Sequence, residues 1–160
     1  MKFKINDDDA VNDPYLKKFM NIYENIAAKD HFNISHIQST ELFKYSKDMI
    51  IVKPVNKGED FICTFCGTHI GNIYGMDITG KHITETNPEQ PSKLIIDLLN
   101  ETLNKNDFIY LSTCISREGF REIEWHQVMI PFWRTDEIRE VLCLISTEIT
   151  KDYSPLLKAL

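Results

Sequence analysis

Apolar positions recur along this 160-residue chain on two periods, and the switches between them mark out its elements. After Asp13-Pro14, an N-cap followed by proline in the first turn, Leu16, Phe19, Met20, Tyr23, Ile26 and Ala27 follow at helical spacing. The spacing predicts an amphipathic helix to about Lys29, whose stripe must cover the domain's own sheet or a second copy of itself. Asn33 to Lys47, with Ile34, Ile37, Leu42 and Phe43, reads as short helical turns. Met49 to Val52 is a strand rich in β-branched residues, Asn56-Lys57-Gly58 a turn, and Asp60 to Cys66 a second strand. Alternation there places Phe61, Cys63 and Phe65 on one face and Ile62, Thr64 and Cys66 on the other.

Beyond Gly67, Ile70, Ile73 and Tyr74 line a short helix that Gly75 can end in the left-handed conformation, as Gly80 can the next turn. A polar stretch through Asn87-Pro88 and Gln90-Pro91 leads to a helix over Ser92 to Asn104, apolar at Leu94, Ile95, Leu98, Leu99 and Leu103. Three strands close the chain: Phe108 to Ser116, Glu122 to Phe132, and Glu137 to Thr147. Short turns such as Arg117-Glu118-Gly119 make them an antiparallel meander. The expected class is α+β, one five-stranded antiparallel sheet with short helices on one face and an N-terminal amphipathic helix. Residues 1–12, with the run Asp7-Asp8-Asp9, read as a flexible solvated tail, 13–148 as a single domain, and 149–160 as a C-terminal tail or short helix.

Composition narrows the function classes. Eighteen basic against 24 acidic residues give a net charge of -6, which disfavours nucleic acid and anionic membrane as partners. No apolar run is long enough to span a bilayer, and the N-terminus has no secretory pattern. Four cysteines without dense spacing read as reduced thiols in a cytoplasmic protein.

The stretch Phe61 to Glu85 carries a resemblance. Its strand ends in Phe65-Cys66-Gly67-Thr68, a helix follows, and then the turn Gly75-Met76-Asp77-Ile78-Thr79-Gly80-Lys81. With the step Ile130-Pro131-Phe132 in the penultimate strand, this resembles the PAS domain family, closest to its bacterial stand-alone single-domain proteins. The resemblance covers about Ile34 to Ser146 and implies a cupped antiparallel sheet, roofed by short helices over a small apolar pocket. It further implies sensing of a small molecule or cofactor, or dimerisation, and no catalytic residues.

On that resemblance the pocket would be formed by Phe61, Cys63, Phe65, Ile70, Tyr74, Leu98, Val128 and Ile130, with His126 or Thr113 as the polar contact. Leu16, Phe19, Met20 and Tyr23 would pack onto the sheet or form a parallel homodimer. His126 shares a face with Val128, Ile130 and Phe132 by period two; the opposite register turns Trp125 and Met129 inward, and both stand open. Nothing in the residues indicates haem or flavin, although an apolar cup could hold either.

Other constellations read as structural. Cys63-Thr64-Phe65-Cys66 is a CxxC, but positions three apart on a regular strand face opposite sides, so the sulfurs diverge and no metal site is expected. Spacing suggests no carboxylate to orient His69 beside Cys66, Asp77 and Thr79 hold a turn, and Glu122 and Glu124 lie on a solvated strand face. The glycines are too widely spaced for a dinucleotide loop. The chain thus reads as a PAS-like sensory module that binds a small ligand and acts in trans on a protein partner. The alternative is a ligand-free interaction module, and the third reading is a small enzyme using His126 with Glu124 or Asp77.

Overall fold

The structure, a computed structural model, describes residues 3–86, 92–117 and 121–152. The expected Asn87-Pro88 and Gln90-Pro91 loop, the Glu118-Gly119 turn and residues 153–160 lie outside the described residues. The described chain runs β1 (Lys4–Ile5), α1 (Asp8–Val11), α2 (Pro14–Ala27), α3 (Ile34–Ile37), α4 (Thr40–Phe43), a 3-10 turn (Ser46–Asp48), β2 (Met49–Val55) and β3 (Asp60–Cys66). It continues through α5 (Thr68–Tyr74), α6 (Ile83–Thr86), α7 (Ser92–Lys105), β4 (Ile109–Arg117), β5 (Arg121–Trp133) and β6 (Arg139–Asp152). The strands form one antiparallel sheet in the order β1-β4-β5-β6-β2-β3, so the β2–β3 hairpin lies beside the last strand of the C-terminal meander.

Several expectations change here. The sheet has six strands rather than five, because Lys4 and Ile5 pair with Ser112 and Leu111 of β4. The segment read as a solvated tail therefore contributes a strand and a helix. Asp7 caps α1 by accepting from the Ala10 N–H, and Ala10 itself is fully buried. At the other end β6 runs on to Asp152, so 149–152 is strand and neither tail nor helix.

Helices also cover both faces of the sheet, not one. The runs Val128–Phe132 and Val141–Ile145 are apolar at consecutive positions, which is what a strand buried on both sides requires. Val128, Ile130, Leu142 and Leu144, with Met49 and Ile51, pack against Leu16, Phe19 and Met20 of α2 and against Phe32, Ile37, Leu42 and Tyr45. Met129, Val141, Cys143 and Ile145, with Ile50 and Val52, face Ile70, Ile96, Leu98 and Leu99 on the other side. The stripe on α2 is thus consumed by the chain's own sheet. Tyr23 lies half-buried at its end, edge-on to Phe32 and Phe108 with ring centroids 4.9 and 6.2 Å apart.

Gly67 joins the two halves of the Phe61–Glu85 stretch. A Cβ there would lie 2.3 Å from the Ser46 carbonyl and 2.4 Å from that of Lys47, so only glycine lets β3 turn into α5 against the 3-10 turn. Gly75 ends α5 in the left-handed conformation at φ 75°, as its position predicts.

Candidate functional site

The sheet face under α7 is imperfectly filled. The strands supply Ile50 and Val52 from β2, Leu111, Thr113 and Ile115 from β4, Trp125 and Gln127 from β5, and Cys143 from β6. The roof comes from Tyr74 of α5, Ile83 and Thr86 of α6, and Ser92, Ile95 and Leu99 of α7. Phe3, just before β1, closes the side. Between them remains a cavity of about 70 Å³. That is under half the roughly 150 Å³ of an engineered cavity that takes one benzene, and far below a haem or flavin ring system.

Its chemistry follows from the lining, in which no side chain is charged. The Trp125 indole N–H donates to Gln127 Oε1 at 2.9 Å. The Tyr74 ring meets Trp125 edge-on, centroids 6.3 Å apart. Burial, reinforced by the neighbouring Cys63, pushes the Cys143 thiol up to about 12, so it lies in the wall as a small apolar group. A neutral molecule with one or two polar atoms suits such a site; a free carboxylate or ammonium would lose its hydration without a counter-charge.

Of the residues expected here, Tyr74 and Thr113 line the cavity. Phe61, Cys63, Ile70 and Leu98 belong to the same core but lie behind its walls. His126, Val128 and Ile130 are on the opposite face, because Trp125, Gln127 and Met129 take the inward register. Phe65 is on that opposite side as well, over a third exposed. A β-bulge moves it. Ile51 pairs with Phe65 but Val52 with Cys63, which leaves Thr64 as the extra residue. The same bulge corrects the reading of the CxxC: Cys63 and Cys66 pair with Val52 and Ile50 and share the α7 face. Burial, with Cys66 nearby, pushes Cys63 up to about 12, and no group of His, Cys, Asp and Glu able to hold a metal occurs among the described residues.

Reading the sequence missed Phe3, Gln127, Leu99 and Cys143. Phe3 sits in a supposed tail, while the other three needed the register of β5, the depth of α7 and the strand order. Trp125 was legible only as the alternative register.

The opposite face carries a separate polar row. Ser112, His126 and Ser146 are direct cross-strand partners on β4, β5 and β6. Two N-cap carboxylates dock on it. Asp7 Oδ1 accepts from Ser112 Oγ at 2.6 Å; Asp13 Oδ2 accepts from Ser146 Oγ at 2.9 Å and lies 3.0 Å from His126 Nδ1. Asp13 Oδ1 meanwhile accepts from the Tyr15 and Leu16 N–H groups at 2.9 and 3.0 Å, capping α2. His126 Nε2 faces Glu124 at 3.1 Å. Elsewhere, buried Asp48 accepts from the Tyr15 hydroxyl and faces His69 Nδ1, each at 2.5 Å, tying α2 to α5. Burial first, and then the Asp48 hydrogen bond, raise the Tyr15 phenol. Asp77 accepts from the Thr79 N–H and hydroxyl at 2.9 and 2.7 Å, so it is a turn residue remote from His126.

Comparison with protein-family models gives no match, and comparison with curated proteins gives none either. Among the described residues no helix is long and apolar enough to cross a membrane.

Proposed function

We propose that the chain is a PAS-like sensory module that binds a small, uncharged ligand between its sheet and α5–α7 and acts in trans on a protein partner. The observation that carries the reading is the cavity itself: an apolar void, without charged lining, holding a Trp125–Gln127 hydrogen bond in its wall. Support comes also from the element order, a hairpin, short helices, one longer helix and a three-stranded meander, which is the order on which the resemblance rests. A ligand that favours one arrangement of roof and sheet shifts the population toward it.

The same volume favours a second reading. About 70 Å³ means that the protein's own side chains already fill most of the cup, as a ligand-free interaction module would have it. Catalysis by His126 has less behind it: Glu124 does lie 3.1 Å from its Nε2, but Asp13 engages its Nδ1 in holding α2, and Asp77 is committed to its own turn. Native mass spectrometry of the purified full chain separates the first two. A bound small molecule, lost in Leu99→Phe where the ring fills the void, is expected of the sensor. A clean mass, with no thermal shift from neutral small compounds, supports the interaction module.

A further inference from the structure

Phe3 is a weakly anchored wall of the cavity. Other walls lie on strands of seven residues or more or on helices packed over the sheet, whereas Phe3 precedes a strand of two residues at the sheet edge. From there the chain passes round β4 to the opposite face. The Asn6 N–H donates to the Tyr110 carbonyl at 3.0 Å, and the Tyr110 N–H donates back to Asn6 Oδ1 at 2.9 Å. Asp7 then reaches Ser112, Ala10 enters the α2-side core, and Asp13 reaches His126 and Ser146 while capping α2. Within eleven residues a wall of the cavity is joined to the N-terminal ends of two helices on the far side. Both attachments are carboxylates doing two jobs, capping a helix and gripping the polar row.

We propose that Phe3 is the movable wall of this site: an uncharged ligand too large for the existing void enters by displacing it. The strap from Phe3 to Asp13 carries that displacement across the sheet and loosens the caps of α1 and α2. The inference rests on the cavity being a ligand site. Phe3 yields first because moving it breaks two residue pairs of an edge strand, whereas moving Trp125 or Leu99 disturbs the centre of a core. The signal then emerges on the face opposite the ligand, at a helix end where a partner can read it. The strap sets ligand size as well, since the room that Phe3 occupies is the room a ligand gains.

Benzene serves as the probe, with binding read from the Trp125 indole N–H resonance and strap release from amide exchange at Asn6, Tyr15 and Leu16. In the wild-type full chain, saturating benzene is expected to speed exchange at these amides about tenfold. In Leu99→Ala and Phe3→Ala the ring finds room without moving the strap, so benzene should shift Trp125 and leave exchange at Tyr15 and Leu16 unchanged. Wild-type binding with no change in exchange overturns the strap and leaves the site standing. Binding by Leu99→Ala but not by wild type also overturns it, because Phe3 then does not yield. If no form binds benzene, the site reading fails and the strap with it.

Discussion

The two faces of one sheet are filled to different standards of completeness. On the α2 side aromatic rings interlock: Tyr15 and Phe19 meet Tyr45 at 5.3 and 5.2 Å, Tyr23 meets Phe32 and Phe108, and Phe108 meets Tyr110 at 5.7 Å. On the α7 side Ile and Leu predominate, with Phe61 and the Tyr74–Trp125 pair among them, and a void remains. Edge-to-face rings add to what their buried area contributes and lock each other's orientation. Aliphatic side chains do not lock one another in this way, and the void among them is one that a neighbour can enter or a ligand fill. The difference teaches where rigidity and responsiveness sit in this molecule: the α2 side holds the sheet, and the α7 side can respond.

The hardest test of that contrast is Phe19→Ala. Phe19 is fully buried against Tyr45 in the close-packed face, so truncation leaves a hole its neighbours cannot close. A loss of about 3–5 kcal/mol is expected in urea denaturation. A loss under about 1.5 kcal/mol would show that the α2 face is as loosely filled as the other.

Filling substitutions discriminate the faces more finely. Leu142 is fully buried in the α2-side cluster, so Leu142→Phe should cost about 1–3 kcal/mol through overpacking. Leu99 borders the void, and Leu99→Phe should stay within about 0.5 kcal/mol of wild type or add stability. Equal costs would erase the distinction.

A smaller effect is expected from the carboxylates that organise turns on each side. Asp13→Ala removes a helix cap and takes the partner from Ser146 Oγ and His126 Nδ1, for about 1–2 kcal/mol. Asp77→Ala removes an exposed turn contact, for about 0.5 kcal/mol or less. Thermal melts of the two variants rank them, and the reverse order would contradict a strapped α2 face.

These features were unequally legible in the sequence. The hairpin, the Gly67–Gly75 helix and the longer helix could be read because their periods are clean and their ends carry Gly or Ser. Register was harder to read. In β5 and β6 consecutive apolar residues satisfy both faces, so period two cannot choose between His126 and Trp125; the burial of both faces that such runs imply was the readable signal, and it went unused. The bulge at Thr64 shifts parity by one residue and has no sequence mark, which is why Phe65 and Cys66 were placed on the wrong sides. Phe3 was hidden by the triple aspartate behind it and Asp7 by being part of that run, since a charge run resembles a solvated tail until strand pairing shows what Asp7 grips.

The smallest expected effect concerns how the roof is fastened. Asp60, at the start of β3, accepts from Thr84 Oγ1 at 2.7 Å and from the Phe61 N–H at 2.8 Å, and faces His82 Nδ1 at 3.2 Å. It thereby ties α6, which contributes Ile83 and Thr86 to the cavity, to the sheet edge. Burial alone raises its pKa, but the Thr84 hydroxyl, the Phe61 and Thr84 N–H groups and His82 outweigh burial, and the net shift is downward from 3.8. A carboxylate lowered in the folded state stabilises fully above its unfolded pKa, and that contribution is lost as pH falls through the folded one. Acid should therefore loosen α6, with faster amide exchange at Ile83 to Thr86 below about pH 4 than at pH 7 once intrinsic rates are divided out. Asp60→Asn keeps one acceptor oxygen for the Phe61 N–H and turns its NH2 toward the Thr84 hydroxyl, which can accept; it cannot titrate, so it should flatten that pH dependence while leaving exchange in α2 as in wild type. If α6 loosens in acid equally in both proteins, Asp60 is not its fastening, and the Ile62–His82 bridge and the apolar contacts of Ile83 hold it instead.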